Sequence, residues 1–240
     1  MKTTAKLSLI LAFVLTTSKI WGSSSLSLDV TQDYQGVIGT DSSRQINASL
    51  GSEVTPAYGA TFTTNLTNRL GLRLKFKHQV TKYYSPDDID IESEGFSLLS
   101  YGLEIPYQHN FNLQSWVRYQ KRDRLLFNIS EDEKLQLYKF QFDEFSYGIN
   151  LETVNRPGFR LGGGIFTSYI QTKPRSDPDM DPNPGFEYGI FGKIGYLTSG
   201  GKGLFFRTQY SEARIRSEKM DFLLKELIIG VGWVWQFGKV

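Results

Sequence analysis

The chain contains no cysteine. That excludes a disulfide scaffold and thiol-ligated metal sites, and it argues against a lipoprotein, whose anchor needs a cysteine at the cleavage site. Only two histidines occur, His78 and His109, too few for a histidine-built metal centre. Neither charge sign dominates. With 27 lysines and arginines against 25 aspartates and glutamates, nothing points to nucleic acid as a partner. Beyond the N-terminus, no run reaches the roughly 18 consecutive apolar residues of a membrane-crossing helix. Tyrosine (13), phenylalanine (17) and glycine (23) are plentiful, a mixture that favours strands and turns over helices.

The N-terminus has the pattern of an export signal. Lys2 and Lys6 precede the apolar core Leu7 to Leu15, and small residues follow from Gly22 to Ser25. A cleaved signal peptide over 1–22 is expected, with 23–240 as one mature domain.

From there one theme repeats: an alternating stretch, a tight turn, a second alternating stretch, then a longer polar loop. Stretches 58–66 and 69–80 flank one turn, and 96–107 and 113–122 the next. Stretches 144–153 and 159–172 form a third pair, and 186–197 and 204–216 a fourth. The last stretch starts at Leu227, and a further strand is expected near 25–34, ahead of a long first loop around 35–53. Asn, Gly and Pro at the junctions are hairpin chemistry. Longer loops are expected at 85–95, 128–136, 174–185 and 217–221. The pattern predicts an all-β, up-and-down antiparallel transmembrane β-barrel of about ten strands, within a range of eight to twelve.

Side-chain parity divides each stretch into two faces. Leu70, Leu72, Leu74 and Phe76 alternate with Arg73, Lys75 and Lys77. Leu227, Ile229, Val231, Trp233, Trp235 and Phe237 alternate with mostly small residues. Parity alone fits a soluble lipocalin-like binding barrel as well. The stretches are longer than the five or six residues usual in soluble sheets, which favours lipid. So do aromatics at their ends: Tyr107, Tyr196, Trp233, Trp235 and Phe237 read as an interfacial girdle. Signal peptide, even meander, alternating turn and loop lengths and an aromatic-rich final strand resemble the small Gram-negative outer-membrane β-barrels of the OmpA/OmpX type. The resemblance covers the mature chain. It implies outer-membrane location, lipid and lipopolysaccharide as surroundings, and the barrel-assembly machinery as a partner in biogenesis. One departure is that Phe237, the aromatic expected at the end, is followed by three more residues.

The motifs for chemistry are thin. Neither a His–x–Ser nor an Asp–x–His unit occurs, so no catalytic function is expected. Asp177, Asp179 and Asp181 are spaced like the start of a calcium loop, but Pro182 stands where its glycine belongs and Tyr188 where its bidentate glutamate belongs. Gly162, Gly163 and Gly164 precede no helix, so they read as inward space. No cofactor or metal is expected, and the protein is expected to act as a monomer.

The inward face holds eight bases, Arg73, Lys75, Lys77, Arg118, Arg122, Arg160, Lys193 and Arg207, against Glu104, Glu144, Glu152 and Glu187. Two readings stand: a plug of interlocked ion pairs, making a structural or surface-interacting protein, or a narrow anion-selective porin for small acidic solutes or oligosaccharides. Glu104 is expected to touch at least one of Arg73, Lys75 and Arg118. On the outward face, Lys82, Lys121, Lys173, Arg214 and Lys225 turn basic toward the loop end, as lipopolysaccharide phosphates would require.

Overall fold

A computed structural model describes residues 23–41, 46–85, 95–110, 112–129, 134–153, 157–172, 182–218 and 220–237. The expected signal peptide, Lys173, the aspartates of the calcium-like loop and the tail after Phe237 lie outside the described residues.

Twelve strand segments make one antiparallel sheet: β1 Ser24–Asp41, β2 Ile46–Ser52, β3 Thr55–Asn65, β4 Gly71–Thr81, β5 Tyr83–Tyr84, β6 Phe96–Gln108, β7 Leu113–Ile129, β8 Leu135–Glu152, β9 Gly158–Thr172, β10 Gly185–Leu197, β11 Lys202–Arg216 and β12 Met220–Phe237. β2 and β3 are two halves of one stave, since β3 pairs with residues 24–33 of β1 and β2 with residues 36–41. β5 continues β4 past Lys82 and pairs with β2. β12 returns to β1 along its whole length, from Ser24↔Phe237 to Asp41↔Met220. The result is a closed barrel of ten staves, which leaves no unpaired sheet edge for lipid to meet.

The tight turns β3–β4, β6–β7, β8–β9 and β10–β11 lie at one end, together with Ser24 and Phe237. The positive φ angles of Gly158 and Gly201, 125° and 72°, serve two of these turns. At the other end the structure corrects three expectations. The loop expected at 217–221 is a short turn, since β12 starts at Met220 and the Ser217 N–H donates to the Met220 carbonyl at 2.7 Å. The first connection is no long loop: β1 runs on to Asp41 and β2 starts at Ile46. The ends of the segment 128–136 are strand as well, because β7 and β8 stay paired as far as Ile129↔Leu135.

Large apolar residues cover the outside. Leu28, Leu74, Ile149, Ile165, Ile190 and Val231 are all exposed, Ile165 to 63%. A soluble monomer rarely shows a contiguous apolar surface beyond a few hundred Å², and this one circles the barrel. The charged face is turned inward, the reverse of a lipocalin-like arrangement.

The interior changes character at the loop end. Consecutive residues Leu125, Leu126 and Phe127 are each no more than 1% exposed. There the β7–β8 hairpin reaches across the mouth. Phe127 packs edge-on against Phe222 of β12 at 5.6 Å between centroids, and its ring stands over Gly39 of β1 beside Met220. β1 and β12 are on the far side of the barrel from β7. Val37, Leu50, Leu98, Phe142 and Ile215 join the same apolar cluster. This lid explains why the sequence loses its alternation at 125–127: both faces of the hairpin tip are buried.

Candidate functional site: the lumen

Behind the lid lies a belt of ion pairs. Arg124, anchored by β7, donates through Nη2 and Nε to Glu144 Oε1 at 2.7 and 3.0 Å, and through Nη2 to Glu187 Oε2 at 2.7 Å. Arg122 pairs with Glu226 and approaches Glu187 at 4.0 Å. Lys77 pairs with Asp33, and Gln120 donates to Glu144. Tyr83 donates to Gln35 at 2.5 Å, and Gln35 to Glu226 at 3.4 Å. Six staves, β1, β4 with β5, β7, β8, β10 and β12, are thus tied across the lumen, as inward positions that alternate along each strand allow.

Toward the tight turns the lumen opens into a vestibule of about 880 Å³. Glu104 lies on its inner wall, 1% exposed. It accepts from Arg73 Nη1 at 2.7 Å and from Lys75 Nζ at 2.5 Å. Arg118 instead stacks 4.9 Å from the Trp116 ring and 5.7 Å from Phe166. Lys193 sits 4.8 Å over Phe205 and 3.9 Å from Glu152, and Arg207 pairs with Asp29 at 2.6 Å. Arg160 lines the same wall. Each of the three rings lies against a glycine directly across the strand pair: Trp116 on Gly148, Phe166 on Gly189, Phe205 on Gly232. A Cβ at any of these glycines would collide with the ring. Gly162 and Gly164 belong to the inward face as well, though a Cβ at Gly164 would strike backbone at Ile149 and Asn150.

Every inward residue expected from the sequence thus has a place, and four more join them. Asp29 and Asp33 come from β1, Arg124 from β7 beyond the expected end at 122, and Glu226 from β12 just ahead of Leu227. Period two carried a few residues further would have found Arg124 and Glu226, whereas Asp29 and Asp33 lie within the strand expected near 25–34, whose faces are weakly marked. Nine bases now stand against seven acids, 8 + 1 and 4 + 3.

Glu104→Ala is expected to cost about 1–3 kcal/mol. Arg73 and Lys75 lose a shared acceptor, but their side chains are 25% and 34% exposed and can take water from the vestibule. A dry site would cost more, about 3 kcal/mol or above. Urea unfolding in lipid vesicles reads the difference; no change in midpoint would show that the contact contributes nothing.

The two histidines each meet a hydroxyl that sequence adjacency did not reveal: His78 Nε2 lies 3.0 Å from Ser97 Oγ and His109 Nε2 2.8 Å from Ser115 Oγ. Among the described residues no carboxylate hydrogen-bonds either ring.

No family model matches the chain, and no curated protein matches it. Among solved structures, the outer membrane protease OmpT from Escherichia coli superposes with a TM-score of 0.50 at 10% identity, covering 90% of this chain and 96% of that one. The fold is that of an outer-membrane β-barrel. The COG4313 outer membrane channel from Pseudomonas putida F1 gives 0.43 at 13% identity, covering 90% and 96%. OprG from Pseudomonas aeruginosa gives 0.42 at 8%, covering 91% and 97%.

On this outer-membrane barrel fold, Tyr107, Tyr196, Trp233 and Phe237 are exposed near the tight turns, and Trp235 is half-buried beside them. Of the basic outward set, Lys82 and Arg214 are exposed with no ion pair among the described residues. Lys121 lies 3.8 Å from Asp143, and Lys225 stands directly across from Glu212.

Proposed function

We propose that the chain is a monomeric, non-catalytic integral protein of the outer membrane whose lumen is closed at rest, a structural or surface-facing barrel akin in size to the OmpA/OmpX type. The observation that carries this is the stacked obstruction: an apolar lid across the mouth and a buried ion belt beneath it. The signal pattern and the apolar circumference support export to a membrane, with the tight turns on the periplasmic side and the lid outside. Assembly by the barrel-assembly machinery follows from that location, with Phe237 read despite its short tail.

In planar bilayers the refolded protein is expected to pass no steady current. Stable anion-selective steps would instead establish the narrow-porin reading, which the cationic vestibule favours and the lid opposes.

The loop-end bases supply a second contact surface. Lys82 and Arg214 are placed to reach lipopolysaccharide phosphates with their stems along the apolar band, whereas Lys121 lies beside Asp143 and Lys225 stands across from Glu212. Charge reversal at Lys82 and Arg214 together is expected to reduce the stabilisation conferred by lipopolysaccharide and to leave the melting temperature in neutral detergent unchanged. Equal losses in both media would remove this role.

A further inference from the structure

The inward charges are not spread evenly. The belt holds Lys77, Arg122 and Arg124 against Asp33, Glu144, Glu187 and Glu226, which is 3 − 4 = −1. The vestibule holds Arg69, Arg73, Lys75, Arg118, Arg160, Lys193 and Arg207 against Asp29, Glu104 and Glu152, which is 7 − 3 = +4. Among the described inward charges, the positive surplus therefore sits in the vestibule. A plug built only to hold the wall together would match its charges locally, as the belt nearly does.

The vestibule cations are also braced in an unusual way. Arg118 and Lys193 rest against aromatic faces, which hold a cation in place without neutralising it. Arg118 Nε and Arg207 Nε are buried with no hydrogen-bond acceptor, and a buried donor without a partner costs stability. The cavity volume falls within the range of small-molecule sites. At the tight turns its lining is Thr67, Asn68, Asn110 and Asn112 with the basic Arg69, and the carboxylate near that end, Glu152, lies 3.9 Å from Lys193, so the repulsion an entering anion meets is offset.

We propose that the vestibule is a blind binding site for a small multivalent oxyanion, a compact polycarboxylate or phosphate, which enters from the tight-turn end and is held by Arg118, Lys193 and Arg207. Arg73 and Lys75, already engaged by Glu104, form its positive back wall. This goes beyond the closed barrel and does not depend on whether the lid seals, because ligand enters from the opposite end.

The absence of cysteine makes the test direct. Ser27→Cys places one thiol on the vestibule wall, and Ser199→Cys places one in an exposed tight turn as reference. Each is labelled in detergent with anionic and cationic methanethiosulfonates of similar size. The anionic-to-cationic rate ratio is expected to be about tenfold higher for Ser27→Cys than for Ser199→Cys, because a charged cleft concentrates its counter-ion. Citrate and pyrophosphate, each at constant ionic strength against sodium chloride, should slow labelling of the Ser27→Cys thiol. Protection by citrate alone assigns the site to carboxylates, by pyrophosphate alone to phosphates, and by both to oxyanions in general. Adding Lys193→Met, or Arg118→Met where that variant folds, should weaken the protection. Equal rate ratios at the two thiols, or protection no greater than chloride gives, would overturn the proposal. No current is measured, so failure of the closed-barrel reading would be seen separately.

Discussion

Arg124→Ala is expected to lower the unfolding free energy of the barrel by about 3–5 kcal/mol. The guanidinium bridges Glu144 and Glu187, and Glu144 is 0% exposed. Bringing these charges into the barrel interior costs each its hydration, and the attraction between them offsets that loss only while the set is complete. Without Arg124, two carboxylates remain in a space walled by apolar lid above and strands around. Arg122 replaces it only in part, since its Nη2 is engaged by Glu226 and its Nη1 stands 4.0 Å from Glu187. Arg124→Lys keeps the charge but loses the fork that reaches two acceptors, so it should recover only part of the loss. Arg216→Ala is the contrast: its pair with Asp221 is of similar length, 3.2 Å, but the two side chains are 78% and 54% exposed, and no measurable change is expected. Urea unfolding in lipid vesicles, followed by the shift in gel mobility of the folded barrel, measures all three. A loss below about 1 kcal/mol for Arg124→Ala would mean that water reaches the belt, the range of a single solvated hydrogen bond.

Phe127→Ala is expected to cost about 3–5 kcal/mol, the range for truncating a buried aromatic. The ring is 0% exposed and fills the space between Gly39, Met220 and Phe222. No neighbour is positioned to close the gap: Gly39 has no side chain to extend, and the strands that carry the others are locked in register. Gly39→Val probes the same contact from the other side, since a Cβ there would stand 2.5 Å from Phe127 Cζ and 2.8 Å from Met220 Cε. Overpacking of that kind costs about 1–3 kcal/mol. Protease added outside should cut the β7–β8 connection faster in both variants. Unchanged cleavage with unchanged stability would show that the lid does not depend on this ring.

The barrel itself was legible in the sequence because period two survives wherever one face meets lipid and the other meets the lumen. Strand β4 shows it plainly, with Leu74 and Phe76 outward and Arg73, Lys75 and Lys77 inward. The Glu104 contacts follow from the same parity, because antiparallel neighbours place it directly opposite Arg73 and Arg118. The lid was not legible. At Leu125–Phe127 the environment is apolar on both faces, so the alternation that defines a strand disappears and the segment resembles a loop. The vestibule was half legible. Its bases could be counted from the sequence, but the offset by Asp29 could not, because it lies in a first strand whose greasy face, with Gln32 among its residues, is weakly marked. Cross-strand seats such as Gly148 under Trp116 depend on register between strands, which one strand's pattern does not contain.

The lid lands on β1 and β12, the two strands that meet last when the chain closes on itself. Its seat does not exist until the N- and C-terminal strands have paired, so the hairpin works as a latch on the seam, thrown from the middle of the chain after the ends have found each other. A contact made that late belongs to the native side of the folding barrier and acts mainly on the rate of opening. Loosening Phe127 should therefore leave the rate of barrel formation in vesicles nearly as it was and hasten its unfolding, the seam parting first once nothing bolts it from within.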